Sequence, residues 1–240
     1  MRLFRLTCSI AFALCLMLTL TTGAASPFIG GTEEPCTIDS SQLLDKVITT
    51  YTEIKELRIV VRIEIMDPNS SGEAVSDYII GEVLYRRPDV LRLTYLEPME
   101  WADYFILIDK SKDTIKRYQP VTDRLFVESL SRAAKDNVGL SLDSLLTPPK
   151  KEDVLKVNQM TDLLTDKQYY VVHNRTQQYD DLGVQKFWLD PETSLIKQVH
   201  LYNLEEKLLL RGVVLEMEIN PNIQDADLFF IPLEAEVTQR

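Results

Sequence analysis

The chain has 240 residues, with 26 Lys+Arg against 37 Asp+Glu and a formal net charge of −11. That surplus of acid repels nucleic acid and anionic lipid headgroups, so neither is an expected partner. The length suits one domain with a sizeable core, and no break in composition argues for two.

The first 25 residues do not read as fold. Arg2 and Arg5 precede an almost unbroken apolar run from Cys8 to Leu20, and Gly23-Ala24-Ala25 follows. That order is a secretory signal peptide, with an apolar part short for a membrane span, and cleavage is expected near Ala25. Its loss removes two arginines and no acid, which takes the net charge from −11 to −13. Cys8 and Cys15 leave with it, so Cys36 has no intrachain disulfide partner. Cys15 follows Leu14 and Cys36 follows Pro35. Neither has the preceding small residue of a lipid-attachment cysteine, so the mature protein is expected to be soluble and monomeric. Residues 26–36 are rich in Gly, Pro and acid and read as a flexible leader, with Cys36 as a spare thiol. The domain is expected over 37–240.

Leu43, Leu44, Val47, Ile48, Tyr51 and Ile54 recur at helical steps of three and four, and Asp39 or Ser40 can cap the start. The period then changes to two. Ile59, Val61, Ile63 and Ile65 face one way, and Arg58, Arg62 and Glu64 the other. Residues 67–73 are dense in turn formers. Further strands are expected near 76–85, 90–96, 103–109, 113–118 and 124–128. Residues 129–149 read as one or two short helices carrying Leu140, Leu142, Leu145 and Leu146, with a break at Gly139 and a stop at Pro148-Pro149. Strands resume near 152–158, 168–173, 184–190, 194–202 and 207–219, with a turn at Asp190-Pro191-Glu192-Thr193. The tail reads as one helical turn that packs Leu228 and Phe229 on the body.

The fold class is therefore mainly β (α+β): an incomplete, strongly curved antiparallel barrel of about 10–11 strands covered by two or three helices. So little helix leaves part of an apolar face under-filled, which is a pocket for something greasy.

Catalytic signatures are sparse. The sequence has no G-x-S-x-G elbow, no H-E-x-x-H and no phosphate loop. His173 and His200 sit singly within expected strands, where packing is a more frequent role than metal ligation. The acidic pairs Asp180-Asp181 and Glu205-Glu206 fall in turns and read as solvated charge. No enzyme activity, cofactor or metal is expected.

The stretch YRRPDVLRLTYLEP, residues 85–98, places two arginines against a proline and then alternates Leu91, Leu93 and Tyr95 with Arg92 and Thr94. With it come FILIDKSKDTIKRYQP at 105–120, WLDPETSLIKQVHLYN at 188–203 and INPNIQDADLFFIP at 219–232. In this order and spacing the chain resembles the periplasmic lipoprotein carrier (LolA) family over nearly its whole mature length. It departs from the family's usual Asp-Gly turn, which here reads Asp109-Lys110-Ser111-Lys112-Asp113, and it lacks the Trp that follows. The central leucine-rich segment does not closely repeat the carrier's lid.

The resemblance implies an open barrel that holds acyl chains between sheet and helices. Its cargo would be lipidated proteins or lipids, taken from an inner-membrane lipoprotein-releasing transporter and passed to an outer-membrane acceptor across the periplasm. Leu91, Leu93, Tyr95, Ile106 and Ile108 would line the cavity, and Leu140, Leu142, Leu145 and Leu146 would form the lid. Arg87 corresponds to the family arginine implicated in holding that lid, with Asp136 and Asp143 as candidate lid acids. Two bland readings stay open beside these: the Leu/Tyr stripe as ordinary core under a helix, and Arg87 as a surface ion pair. An envelope-stress sensor that detects lipoproteins and contacts a membrane protein is the alternative function. Such sensors carry a second domain after the barrel, and here the family-like tail lies close to Arg240.

Overall fold

The computed structural model describes residues 29–67, 74–132, 148–175 and 182–239. Helix α1 spans Ser40–Glu53. The Asp39 carboxylate caps it by accepting the Ser41 N–H at 2.8 Å. Leu43, Leu44, Val47 and Tyr51 form its buried stripe, as their spacing requires.

Among the described residues there are thirteen strands, in chain order β1 Glu33–Pro35, which precedes α1, β2 Glu56–Met66, β3 Val75–Arg86, β4 Val90–Glu97, β5 Phe105–Asp109, β6 Thr114–Gln119, β7 Arg124–Ser129, β8 Val154–Thr161, β9 Gln168–Arg175, β10 Leu182–Leu189, β11 Ile196–Asn203, β12 Leu208–Ile219 and β13 Glu236–Gln239. They make one curved, unclosed sheet in the order β1-β8-β9-β10-β11-β12-β2-β3-β4-β5-β6-β7-β13. Every pairing is antiparallel except that of β13 with β7, which is parallel. Eleven of these strands stand where the two-residue period puts them. The two additional ones, β1 and β13, are short edge strands.

Strand β1 corrects one expectation. Residues 29–36 are not a loose leader but part of the fold, because they find partners on the sheet. Ile29 is buried against Met160, Tyr169, Val171 and Trp188. Its N–H donates to Gln198 Oε1 at 3.1 Å, and its carbonyl accepts from Gln198 Nε2 at 3.3 Å. At Gly31 the chain runs so close to β8 that an added Cβ would lie 2.2 Å from the Thr161 carbonyl oxygen. Cys36 is half-buried and packs against the main core.

The two faces of the sheet are covered differently. On the inner face α1 packs on Leu57, Ile59, Val61, Val83, Val172, Phe187 and Val199. The outer face carries two straps. Residues 29–35 cross β8–β11. The C-terminal tail, with helix α2 at Asp225–Leu228, crosses β3–β7. Leu228 is fully buried with Leu84 and Ile223, and Phe229, Ile231 and Ala235 pack on the Phe105, Leu107, Tyr118 and Leu125 cluster. Arg92 holds this strap from beneath. Its guanidinium lies 4.0 Å above the Phe105 ring and donates to the Phe230 carbonyl at 2.6 Å.

A polar row crosses the outer face through register. Glu64 stands opposite Arg211, Arg211 opposite His200, His200 opposite Lys186 and Lys186 opposite His173. Glu64 is on the polar side, as its alternation requires, yet it is fully buried. It is compensated there by Arg62 at 2.9 Å and by Arg211 at 2.7 Å.

Candidate functional site

The strand β3 ends at the tandem arginines, and alternation sends them to opposite faces. Arg86 turns outward to Glu56 at 3.0 Å, Asp225 at 2.5 Å and the Ile223 carbonyl, and so pins the C-terminal strap. Arg87 turns to the helix side. Its guanidinium donates to the carbonyls of Tyr51 and Thr52, each at 2.7 Å. These are last-turn carbonyls of α1, where a cation meets the negative end of the helix dipole. Asp136 and Asp143 lie outside the described residues, as do Leu140, Leu142, Leu145 and Leu146. Both arginines, with Lys55, Glu56, Pro88, Asn220 and Asn222, line an open cleft of about 820 Å³.

The inner-face stripe is brought together as its period requires. Leu91 pairs with Ile108 and Leu93 with Ile106 across β4–β5, and Ile108 pairs with Ile115 across β5–β6. The side chains are not equivalent, however. Leu91 and Leu93 are 2% and 4% exposed and belong to the core under α1. Tyr95 and Ile108 are half-buried at the margin of that core, and Ile106 is half-buried beyond it. Helix α1 therefore fills the side of the inner face over β2, β3 and β9–β11, and the apolar surface of β4–β6 continues past it.

Sequence reading missed the polar groups at the far end of this stripe. Arg117 stands opposite Ile106 on β6 and bridges to Glu128 of β7 at 2.5 Å. Tyr95 and Tyr104 lie with ring centroids 5.0 Å apart, and Trp101 meets Tyr104 edge-on at 6.0 Å. Burial pushes the Tyr95 hydroxyl up to about 12, helped by Tyr104. Tyr104 is raised too, chiefly by burial, with Arg117 acting against it. The available signal was alternation: 104, 106 and 108 share a face, and 115 and 117 lie beside them on the same face of the next strand.

The turns of this half are built alike. After Lys110–Lys112 and after Pro120–Thr122 the chain reverses through Asp113 (φ 48°) and Asp123 (φ 49°). Aspartate tolerates this left-handed region, so the turn between β5 and β6 forms without a Gly.

Among the described residues no group of three or more His, Cys, Asp or Glu side chains could hold a metal ion. His200 is buried between Gln198 and Tyr202, and His173 bonds Glu33.

No family model matches the chain, and no curated protein does. Solved structures do. An uncharacterised conserved protein from Thermus thermophilus superposes with a TM-score of 0.55 at 15% identity, over 84% of this chain and 99% of that one. MucB superposes with a TM-score of 0.51 at 14% identity, over 85% of this chain and 66% of that one. A LolA superfamily protein from Nitrosomonas europaea gives a TM-score of 0.42 at 12% identity, over 80% and 98%. At these identities the first two likenesses are likenesses of fold.

Proposed function

We propose that this chain is a soluble carrier of the bacterial cell envelope, which binds acyl chains of lipoproteins or lipids and moves them between membranes without catalysis. The observation that carries the reading is the apolar inner-face surface of β4–β6 that runs on past α1. Leu91 and Leu93 form its buried floor; Tyr95, Ile106 and Ile108 keep part of their surface open. A dozen methylenes buried there would contribute about 10 kcal/mol at ~0.8 kcal/mol each. Cargo held that firmly needs a release step. Arg87, joining the β3–β4 turn to the end of α1, is the proposed latch, with residues 140–146 as the proposed lid. The chain would work in the periplasm as a monomer, loaded by an inner-membrane lipoprotein-releasing transporter and unloaded at an outer-membrane acceptor.

The test is capture in the native host. A photo-crosslinking residue at Ile106 is irradiated in cells, with one at Glu216, exposed on β12, as control. An acylated protein on Ile106 alone supports the carrier. A phospholipid or glycolipid adduct keeps the cavity and changes the cargo. Equal labelling at both sites, or none at Ile106, overturns the reading. Cargo that is captured but never passed to acceptor membranes moves the assignment to the sensor alternative.

A further inference from the structure

The far end of the apolar stripe is chemically lopsided. Tyr95 and Tyr104 lie side by side, and neither hydroxyl is taken up by a hydrogen bond among the described residues. Both residues are half-buried, and neither hydroxyl is among the buried polar atoms left without a partner, so each still reaches the surface. Beside them Arg117 gives one guanidinium nitrogen to Glu128 and keeps further N–H donors. The cluster thus offers several donors, and the one carboxylate in it is already engaged. Donors set at the end of an apolar surface favour a partner that accepts.

Charge narrows the choice. Glu128 already balances Arg117, so the site needs no anion for neutrality. A carboxylate or phosphate would bring a new negative charge beside Glu128, in a chain whose net charge is −11. The fitting group is a neutral acceptor joined to a hydrocarbon chain. Register supplies the path for that chain, since Arg117 is opposite Ile106, and Ile108 is two residues further along β5.

We propose that Tyr95, Tyr104 and Arg117 form a polar anchor for the ester carbonyls of an acylglycerol group, whose hydrocarbon chain runs along Ile106 and Ile108. The anchor rests on the acyl-binding reading above and deepens it by naming the head the cavity selects. It also assigns Glu128 a positioning role, holding the guanidinium at the end of the stripe.

The experiment compares three probes with the same sixteen-carbon chain on the full-length protein: the monoacylglycerol ester, the alkylglycerol ether and the free fatty acid. Calorimetry reads the affinities. The ester is expected to bind roughly tenfold more tightly than the ether, the equivalent of one or two net hydrogen bonds. In Tyr95→Phe/Tyr104→Phe that preference disappears, so that ester and ether bind alike. Should the double variant fail to fold, the ester-to-ether ratio of the unmodified protein decides alone. Equal binding of ester and ether overturns the anchor and leaves acyl binding standing. Tightest binding of the fatty acid overturns the neutral head. Binding of none of the three overturns the anchor and the acyl reading together.

Discussion

Arg86 and Arg87 are neighbours in sequence, yet the alternation of β3 gives one to the outer strap and the other to α1. Arg87 is exposed, so its bonds to Tyr51 and Thr52 are worth about 1 kcal/mol or less to stability. Arg87→Leu is therefore expected to lower Tm by only a few degrees, and circular dichroism melting reads this. If Arg87 is also the latch, the same variant loads cargo but releases it abnormally; unchanged loading and release would retire that role. Glu64 is a different kind of residue. It is fully buried between Arg62 and Arg211, at 2.9 and 2.7 Å. Glu64→Gln removes the buried negative charge that faces both guanidiniums, so a loss of about 3–5 kcal/mol is expected in urea unfolding. A loss below about 1 kcal/mol would show that solvent, rather than Glu64, compensates those arginines.

The elements divide into those that local pattern specifies and those that partners specify. Helix α1 and the eleven longer strands were legible because an apolar face repeats at 3.6 or 2 residues. Strands β1 and β13 have three and four residues, too few for a period, and they exist because an edge of the sheet receives them. The burial of Glu64 was invisible for the same reason: its ladder partner Arg211 is 147 residues away. The N-terminal strap also sets an acid response. Burial opposes ionisation of Glu33, but bonds from His173, Lys186 and Asn158 outweigh it and hold the carboxyl well below the usual carboxylate range. A depressed folded pKa gives stability that is complete above the unfolded value of 4.5 and lost as pH falls below it. His200 acts over a wider window. Burial, with Arg211 and Lys186 nearby, pushes it from 6.5 down to about 3. The unfolded chain then takes up a proton first, so stability falls as pH drops from 6.5 towards 3. Urea midpoints measured across this range are expected to decline on acidification. Glu33→Gln should flatten the part below 4.5, and His200→Gln the part that begins near 6.5. Unaltered slopes in both variants would assign the acid response to other groups.

At the scale of the whole molecule, one sheet supports two unlike halves. Over β2, β3 and β9–β11 the inner face is filled by α1, and the resulting core is dense with side chains under a tenth exposed. Over β4–β6 the same face passes from Leu91 and Leu93 to half-buried Tyr95, Ile106 and Ile108. The sequence showed an apolar stripe there but could not divide it into core and open surface, because that division depends on where α1 stops. It stops at Glu53, with Ile54 already extended and Arg87 on the last carbonyls. Ligand binding should follow this division. A bound acylglycerol ester at about 100 times its Kd stabilises the native state by roughly 2.7 kcal/mol. If the chain lies on β4–β6, hydrogen exchange slows most in Phe105–Asp109 and Thr114–Gln119, where the described inner face is least filled. The amides of β9–β11, already under α1, slow only by the global amount. Protection spread evenly over both halves would mean that the ester binds wherever the fold as a whole is stabilised. Protection confined to β9–β11 would place the cavity beneath α1 itself, and would make the helix, not the stripe beyond it, the part that has to move.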